Sequence, residues 1–210
     1  FIVIDGTEGG TGAAPLEFAN HVGMPMIEGL TFVHNTLRGA GIRNRLKLGA
    51  SGKLVTSFDI AKALALGADW ANSARGFMFA VDCIQAQACH TNHCPVAVAT
   101  QDPTRARALD VDSKSVRVTR FHANTLHAIA EMTSAAGLTS PGEFLPHHLL
   151  MREKDREMVT GEEVYPYLPD GFLVRGEIDT AIVAGSNILL DPYAKSIGGR
   201  DVWWTPPDWN

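Results

Sequence analysis

Residues 45–80 read "RLKLGASGKLVTSFDIAKALALGADWANSARGFMFA", and this stretch decides the fold. "RLKLGA" is a short apolar run closed by a Ser51-Gly52-Lys53 turn, the pattern of a buried strand. Thr56 or Ser57 can then cap a helix that runs through "FDIAKALAL" and stops at Gly67. "DWANSA" reads as the next strand, and "RGFMFA" starts a second helical stretch.

Upstream, "FIVID" is a third short apolar run, ending at Asp5-Gly6. Ile27, Leu30, Val33 and Leu37 then recur at helical spacing between Pro25 and Gly39. The order is strand, helix, strand, helix, strand, helix. That alternation predicts a parallel sheet with helical crossovers, an α/β fold. The connection "GTEGGTGAAP" holds four glycines in ten residues, so its backbone can approach a ligand or take φ > 0. Downstream, residues 115–136 form the clearest helix, with Val118, Phe121, Ile129, Met132 and Ala136 on one face. From Pro141 onward the pattern is irregular and ends in "DVWWTPPDWN". Residues 1–140 therefore read as three βα units, and 141–210 as an extension wrapping them. Three parallel strands are few for a free-standing domain. A (βα)8 TIM barrel takes eight strands and about 250 residues, so such a barrel would lie more than half outside this sequence.

The chain has 210 residues, 45% hydrophobic, with a net charge of −5. That length allows one sizeable core. Mild acidity without a basic stripe argues against nucleic-acid binding. No apolar run approaches the roughly 18 residues of a membrane span. The sequence opens at Phe1 without an initiator Met, so a missing targeting signal carries little weight. A fragment, or a chain completed by other sequence, is expected.

All three cysteines fall in "CIQAQACHTNHC", residues 83–94. An odd, clustered set is unlike the even, dispersed cysteines of a disulfide framework. It fits a thiolate site in a reducing, cytoplasmic compartment. The spacing of Cys83, Cys89 and Cys94 is irregular for zinc, where a CxxC knuckle is usual. Thiolates are the standing ligands of iron–sulfur clusters, and each cysteine could hold one iron of three. A zinc site completed by His90 or His93 is the rival. Three buried, inert cysteines are the plainer reading. Spacing leaves all three open.

Two turns are candidate phosphate sites: Ser51-Gly52-Lys53 and Ala74-Arg75-Gly76. Each follows a strand and precedes a helix, where free backbone N–H groups gather. The loops after the last two strands of a barrel commonly hold a phosphate. Gly52 and Gly76 would let the backbone approach, and Lys53 or Arg75 would add charge. Ordinary capped turns are the plain alternative. His122 and His127 lie on the long helix and His147-His148 in a loop, none of them in a catalytic pattern. No GxSxG elbow, GxGxxG fingerprint or P-loop is present, so hydrolase, dinucleotide and nucleoside triphosphate chemistry lack support.

Together, "VIDGTEGGTGAAP", "GASGKL", "ADWANSARGFMFA", "CIQAQACHTNHCPVAVATQDP" and "FHANTLHAIAEM" resemble the FMN-binding synthase domain of glutamate synthase. The likeness is greatest to single-domain bacterial members and covers about residues 1–170. It implies the C-terminal part of a (βα)8 barrel, with FMN at the C-terminal face of the strands. The opening strand would be about the sixth, and the next two the seventh and eighth. It implies a [3Fe-4S] cluster on Cys83, Cys89 and Cys94, within an iron–sulfur loop spanning residues 83–103. The FMN phosphate would sit at Ser51, Gly52 and Lys53 and at Ala74, Arg75 and Gly76. Glu8, Gly9, Gly10 and Thr11 would border the substrate side of the flavin.

The implied activity is reductive amination of 2-oxoglutarate to glutamate. The implied partners are an electron-donor protein or reductase subunit and an ammonia-supplying subunit, in an oligomer. An amine-specific relative, such as an N-methylglutamate synthase, and a non-catalytic electron-transfer subunit are the alternatives. Asp82 departs from the family pattern, which has a small residue there; pointed inward, its charge would lower the cluster's potential. Residues after about 175 resemble nothing recognised.

Overall fold

The computed structural model describes residues 1–9, 15, 18, 22–152 and 158–175. Three strands, β1 (Ile2–Asp5), β2 (Leu48–Ser51) and β3 (Trp70–Asn72), form a parallel sheet in that order. Helix α1 (Met26–Gly39) joins β1 to β2, α2 (Ser57–Ala65) joins β2 to β3, and α3 (Ala74–Ala80) leaves β3. The strand–helix alternation of the sequence is therefore realised as an α/β fold with a parallel sheet.

Register decides which face is covered. Ile4 pairs with Ala50, and Ala50 with Ala71, on the face against which the helices pack. Leu48 and Ala50 are fully buried there among Leu30, Ala61, Ala65 and Leu66. Val3 pairs with Gly49, and Gly49 with Trp70, on the opposite face. There Val3 is 41% exposed, and Phe1, 85% exposed, meets the Trp70 ring edge-on at 5.8 Å. Among the described residues, β1 pairs on one edge only.

Helix α2 begins as its sequence asks. Thr56 Oγ1 accepts from the Asp59 N–H at 3.1 Å, and the Asp59 carboxylate accepts from the Thr56 N–H at 2.8 Å. This reciprocal cap satisfies two donors that the first turn leaves orphaned.

Helix α4 (Pro103–Ala106) precedes the long helix α5 (Val111–Ala135), which starts four residues before the predicted 115. Only Ile129 and Thr133 of α5 are buried, so it packs along one narrow face. The predicted stripe holds at Phe121, whose ring meets Phe77 of α3 edge-on at 5.1 Å.

Beyond residue 140 lie a hairpin of β4 (Leu150–Arg152) and β5 (Met158–Thr160), then α6 (Gly161–Val164) and α7 (Phe172–Arg175). Phe144 and Leu149 join the main core. The buried Asn35 side chain of α1 donates to the Pro166 carbonyl at 3.1 Å and accepts from the Leu168 N–H at 3.0 Å. Tyr167 Oη donates to the Ala65 carbonyl at 2.8 Å. The aromatic tail "DVWWTPPDWN" lies outside the described residues. No helix among the described residues is long and apolar enough to cross a membrane.

Candidate functional site

Asp5, Ser51 and Asn72 are the last residues of β1, β2 and β3, paired side by side in the register. With Gly9, Gly52, Lys53, Ala74 and Arg75 they enclose a cavity of about 300 Å³ at the C-terminal edge of the sheet. Parallel sheets bind ligands at this edge, because the chain leaves each strand there with loose backbone groups. Two cations, Lys53 and Arg75, face one carboxylate, Asp5, so the wall suits an anion.

The turn that carries Lys53 is conformationally unusual. Gly52 has φ 154° and Lys53 φ 50°. A side chain at Gly52 would meet the Met26 Cβ at 2.8 Å, so glycine serves both conformation and space there. Gly76 has a packing role as well. It is absent from the cavity wall, and a Cβ there would meet the Phe121 ring at 2.7 Å. Its missing side chain leaves room for Phe121 of α5.

Glu8 has a backbone partner in the chain. Its carboxylate accepts from the Met26 N–H at 2.9 and 3.1 Å, serving the exposed donors at the start of α1. A helix N-terminus attracts negative charge, and Glu8 supplies it across the glycine loop. Gly9 does line the cavity, against the Asp5 carboxylate. Gly10 and Thr11 lie outside the described residues. Sequence reasoning missed Asp5 and Asn72, although their position as strand-terminal residues was a usable signal.

At the other end of α3 lies a second concavity. Cys83, Cys89 and Cys94 all line it, with Met78, Ile84, Pro95, Val96 and Val98 among its apolar neighbours. His90 and His93 are exposed and off this wall. Among the described residues no three His, Cys, Asp or Glu groups converge on a single metal ion. Three sulfur donors border one hollow, the ligand type of both iron–sulfur and zinc sites.

Cys94 is buried, which alone would push its thiol up. The backbone N–H groups of Ala99, Val96, Val98 and Ala97 converge on it and bring it below its ordinary value. Such N–H donors stabilise thiolate and tune a bound metal.

The backbone around this hollow is also unusual. Asp82, Gln85, Gln87, Asn92 and Ala97 have φ of 71°, 56°, 55°, 64° and 62°. L-residues avoid this region, and such departures gather at functional sites. Asn92 holds the loop by accepting from the Gln101 N–H at 2.6 Å and the Thr100 hydroxyl at 3.1 Å. Asp82 ion-pairs with Lys114 and Arg117 of α5, so its carboxylate is engaged by cations. The Lys114 hydrogen bond, with the charge of Arg117 behind it, holds Asp82 below the usual carboxylate range.

The family described as a conserved region in glutamate synthase matches residues 1–139. The chain belongs to the glutamate synthase family. A Bacillus subtilis (strain 168) protein named glutamate synthase large subunit-like protein YerD is 46% identical over 159 residues, covering 76% of this chain and 30% of its own length. The NADPH archaeal glutamate synthase of Methanocaldococcus jannaschii is 40% identical over 139 residues, 66% of this chain and 27% of its own. Ferredoxin-dependent glutamate synthase 1, chloroplastic/mitochondrial, of Arabidopsis thaliana is 36% identical over 203 residues, 91% of this chain and 12% of its own. The chain thus spans no more than 30% of the length of these relatives. Coverage of 91% must include part of the segment after residue 175, which by itself had shown no resemblance.

Proposed function

We propose that this chain is the cofactor-binding end of a glutamate synthase-type oxidoreductase that reductively aminates 2-oxoglutarate to glutamate. One observation carries the reading. The anion cavity and the three-cysteine hollow sit at opposite ends of α3, with Ala74 and Arg75 on one and Met78 on the other. This helix of seven residues is about 10 Å long.

The residues fit both groups. Lys53 and Arg75 would offset a flavin phosphate while Gly52 lets backbone N–H groups approach it. Cys83, Cys89 and Cys94 would hold a [3Fe-4S] cluster, with N–H groups of residues 96–99 stabilising the thiolate of Cys94. When bound, FMN supplies hydride chemistry and the cluster one-electron exchange. Of the three thiols only Cys94 is buried in this hollow, while Cys83 and Cys89 are half-buried. Asp5, Gly9 and Asn72 border the same cavity and are placed to orient what enters it.

In this reading β1, β2 and β3 are the last three strands of a (βα)8 barrel. The bare face of Val3 and Trp70 and the open edge of β1 are what five more strands would cover. The described residues beyond 140 would wrap the outside of that barrel. An electron-donor protein or reductase subunit and an ammonia source complete the reaction.

Visible and EPR spectra of the purified protein test the proposal. Flavin absorption plus a three-iron EPR signal is expected, and a colourless, iron-free protein overturns it. Turnover of 2-oxoglutarate with ammonia, but not with methylamine, distinguishes glutamate formation from N-methylglutamate formation.

A further inference from the structure

We propose that Asp82, through Lys114 and Arg117, is a positioning residue that ties the first cysteine of the hollow to the long helix α5. The inference rests on the reading of that hollow as a cluster site.

The end of α3 carries the argument. The Asp82 N–H donates to the Phe79 carbonyl at 3.0 Å, and the Cys83 N–H donates to the Met78 carbonyl at 3.0 Å. These two bonds close a Schellman motif, whose left-handed residue is usually glycine. Here it is Asp82, with φ 71°. A side chain at this position costs conformational energy that glycine would not. Aspartate tolerates the region better than most residues, but that alone gives no reason to prefer it.

The reason lies across the groove. From the left-handed position the Asp82 carboxylate reaches both Lys114 and Arg117. These two cations are three residues apart on α5 and so lie on one face of it. Lys114 keeps only 20% side-chain exposure, which immobilises it beside the loop. Glycine would close the helix equally well yet leave both cations without this partner. The tie fixes Asp82, and Cys83 follows as the next residue, its own N–H already committed to α3.

The charge balance also changes. One carboxylate and two cations sum to a positive group beside Cys83. The sequence alone suggested an added negative charge. Asp82 therefore acts through position, and removing it leaves two cations facing the loop.

Two measurements separate this role from the cluster itself. In iron-free protein, the alkylation rate of each cysteine is followed by mass spectrometry for wild type, Asp82→Asn, Asp82→Gly and Lys114→Met. Asparagine tolerates φ > 0 and glycine relieves it, so neither variant strains the backbone. All three variants are expected to speed alkylation of Cys83 by about threefold to fivefold, the range of a partly exposed ion-pair network, with Cys94 unchanged. High salt should do the same in wild type. In iron-loaded protein, loss of iron to a chelator should quicken by a similar factor. Equal Cys83 alkylation rates in wild type and all variants overturn the proposal. Wild type that takes up no iron overturns the cluster reading instead, while the alkylation arm still decides the tie.

Discussion

Where the strands begin, Asp69 accepts hydrogen bonds from Lys47 Nζ, the Leu48 N–H and Arg43 Nη2, each at 2.8 Å. Where they end, Lys53 and Arg75 border an open cavity of about 300 Å³. The two edges of one sheet are built to different ends. At the starting edge, charges meet charges within the chain. Arg43 also donates to the Gly67 carbonyl at 2.8 Å and to His34 Nδ1 at 3.1 Å. His34 is buried, stacks on Tyr167 at 4.2 Å, and fits only because Gly67, at φ 108°, has no side chain there. At the finishing edge, Asp5, Lys53 and Arg75 border a cavity, and Gly52 and Lys53 hold positive φ. Parallel α/β sheets place ligand sites at the finishing edge of the strands in this way.

Substitutions at one edge should leave the other intact. The largest effect is expected from Asp69→Ala, which strands the Leu48 N–H and two cations. It should lower unfolding free energy by about 2–3 kcal/mol in urea titrations, with flavin content per folded molecule unchanged. Flavin loss from a still-stable protein would break the division of roles.

A pH effect should follow at the same edge. Burial, then Arg43 and Arg38, lower the His34 pKa from 6.5 to about 4. The unfolded chain then binds a proton between these values that the folded one refuses, so stability falls as pH drops from 6.5 towards 4. The loss should approach about 2–3 kcal/mol, and His34→Gln should flatten the stability–pH curve in that window. An unchanged slope would show that His34 is not the group responsible.

Lys53→Ala should act on the other edge alone. Flavin phosphate affinity should weaken by about tenfold, equivalent to about 1.4 kcal/mol, with Tm shifted by less than about 2 °C. The smallest effect is expected from Tyr167→Phe. It loses the bond to the Ala65 carbonyl but keeps the ring on His34, costing about 1 kcal/mol by thermal or urea unfolding. No change in flavin binding is expected.

Much of the sheet was legible because its signals are local. "RLKLGA" and "DWANSA" are short apolar runs between turn residues, and Thr56 with Asp59 spells out a helix start. The turn at Ser51-Gly52-Lys53 was legible for the same reason. The bond from the Met26 N–H to Glu8 was not legible because Met26 lies far along the chain beyond a glycine loop. The packing of Gly76 against Phe121 was hidden because that ring comes from far along the chain.

By itself the sequence determined the strand–helix alternation, the three clustered thiols and the glycine turns, because each follows from residues close along the chain. Tertiary structure decided the rest. It brought Asp5 and Asn72 to one cavity with Lys53 and Arg75, and set the three cysteines around one hollow without His90 or His93. It also turned Asp82 towards two cations of α5. Those outcomes depend on register and on which helix packs where. Long-range packing settles such choices, and local propensity does not encode them.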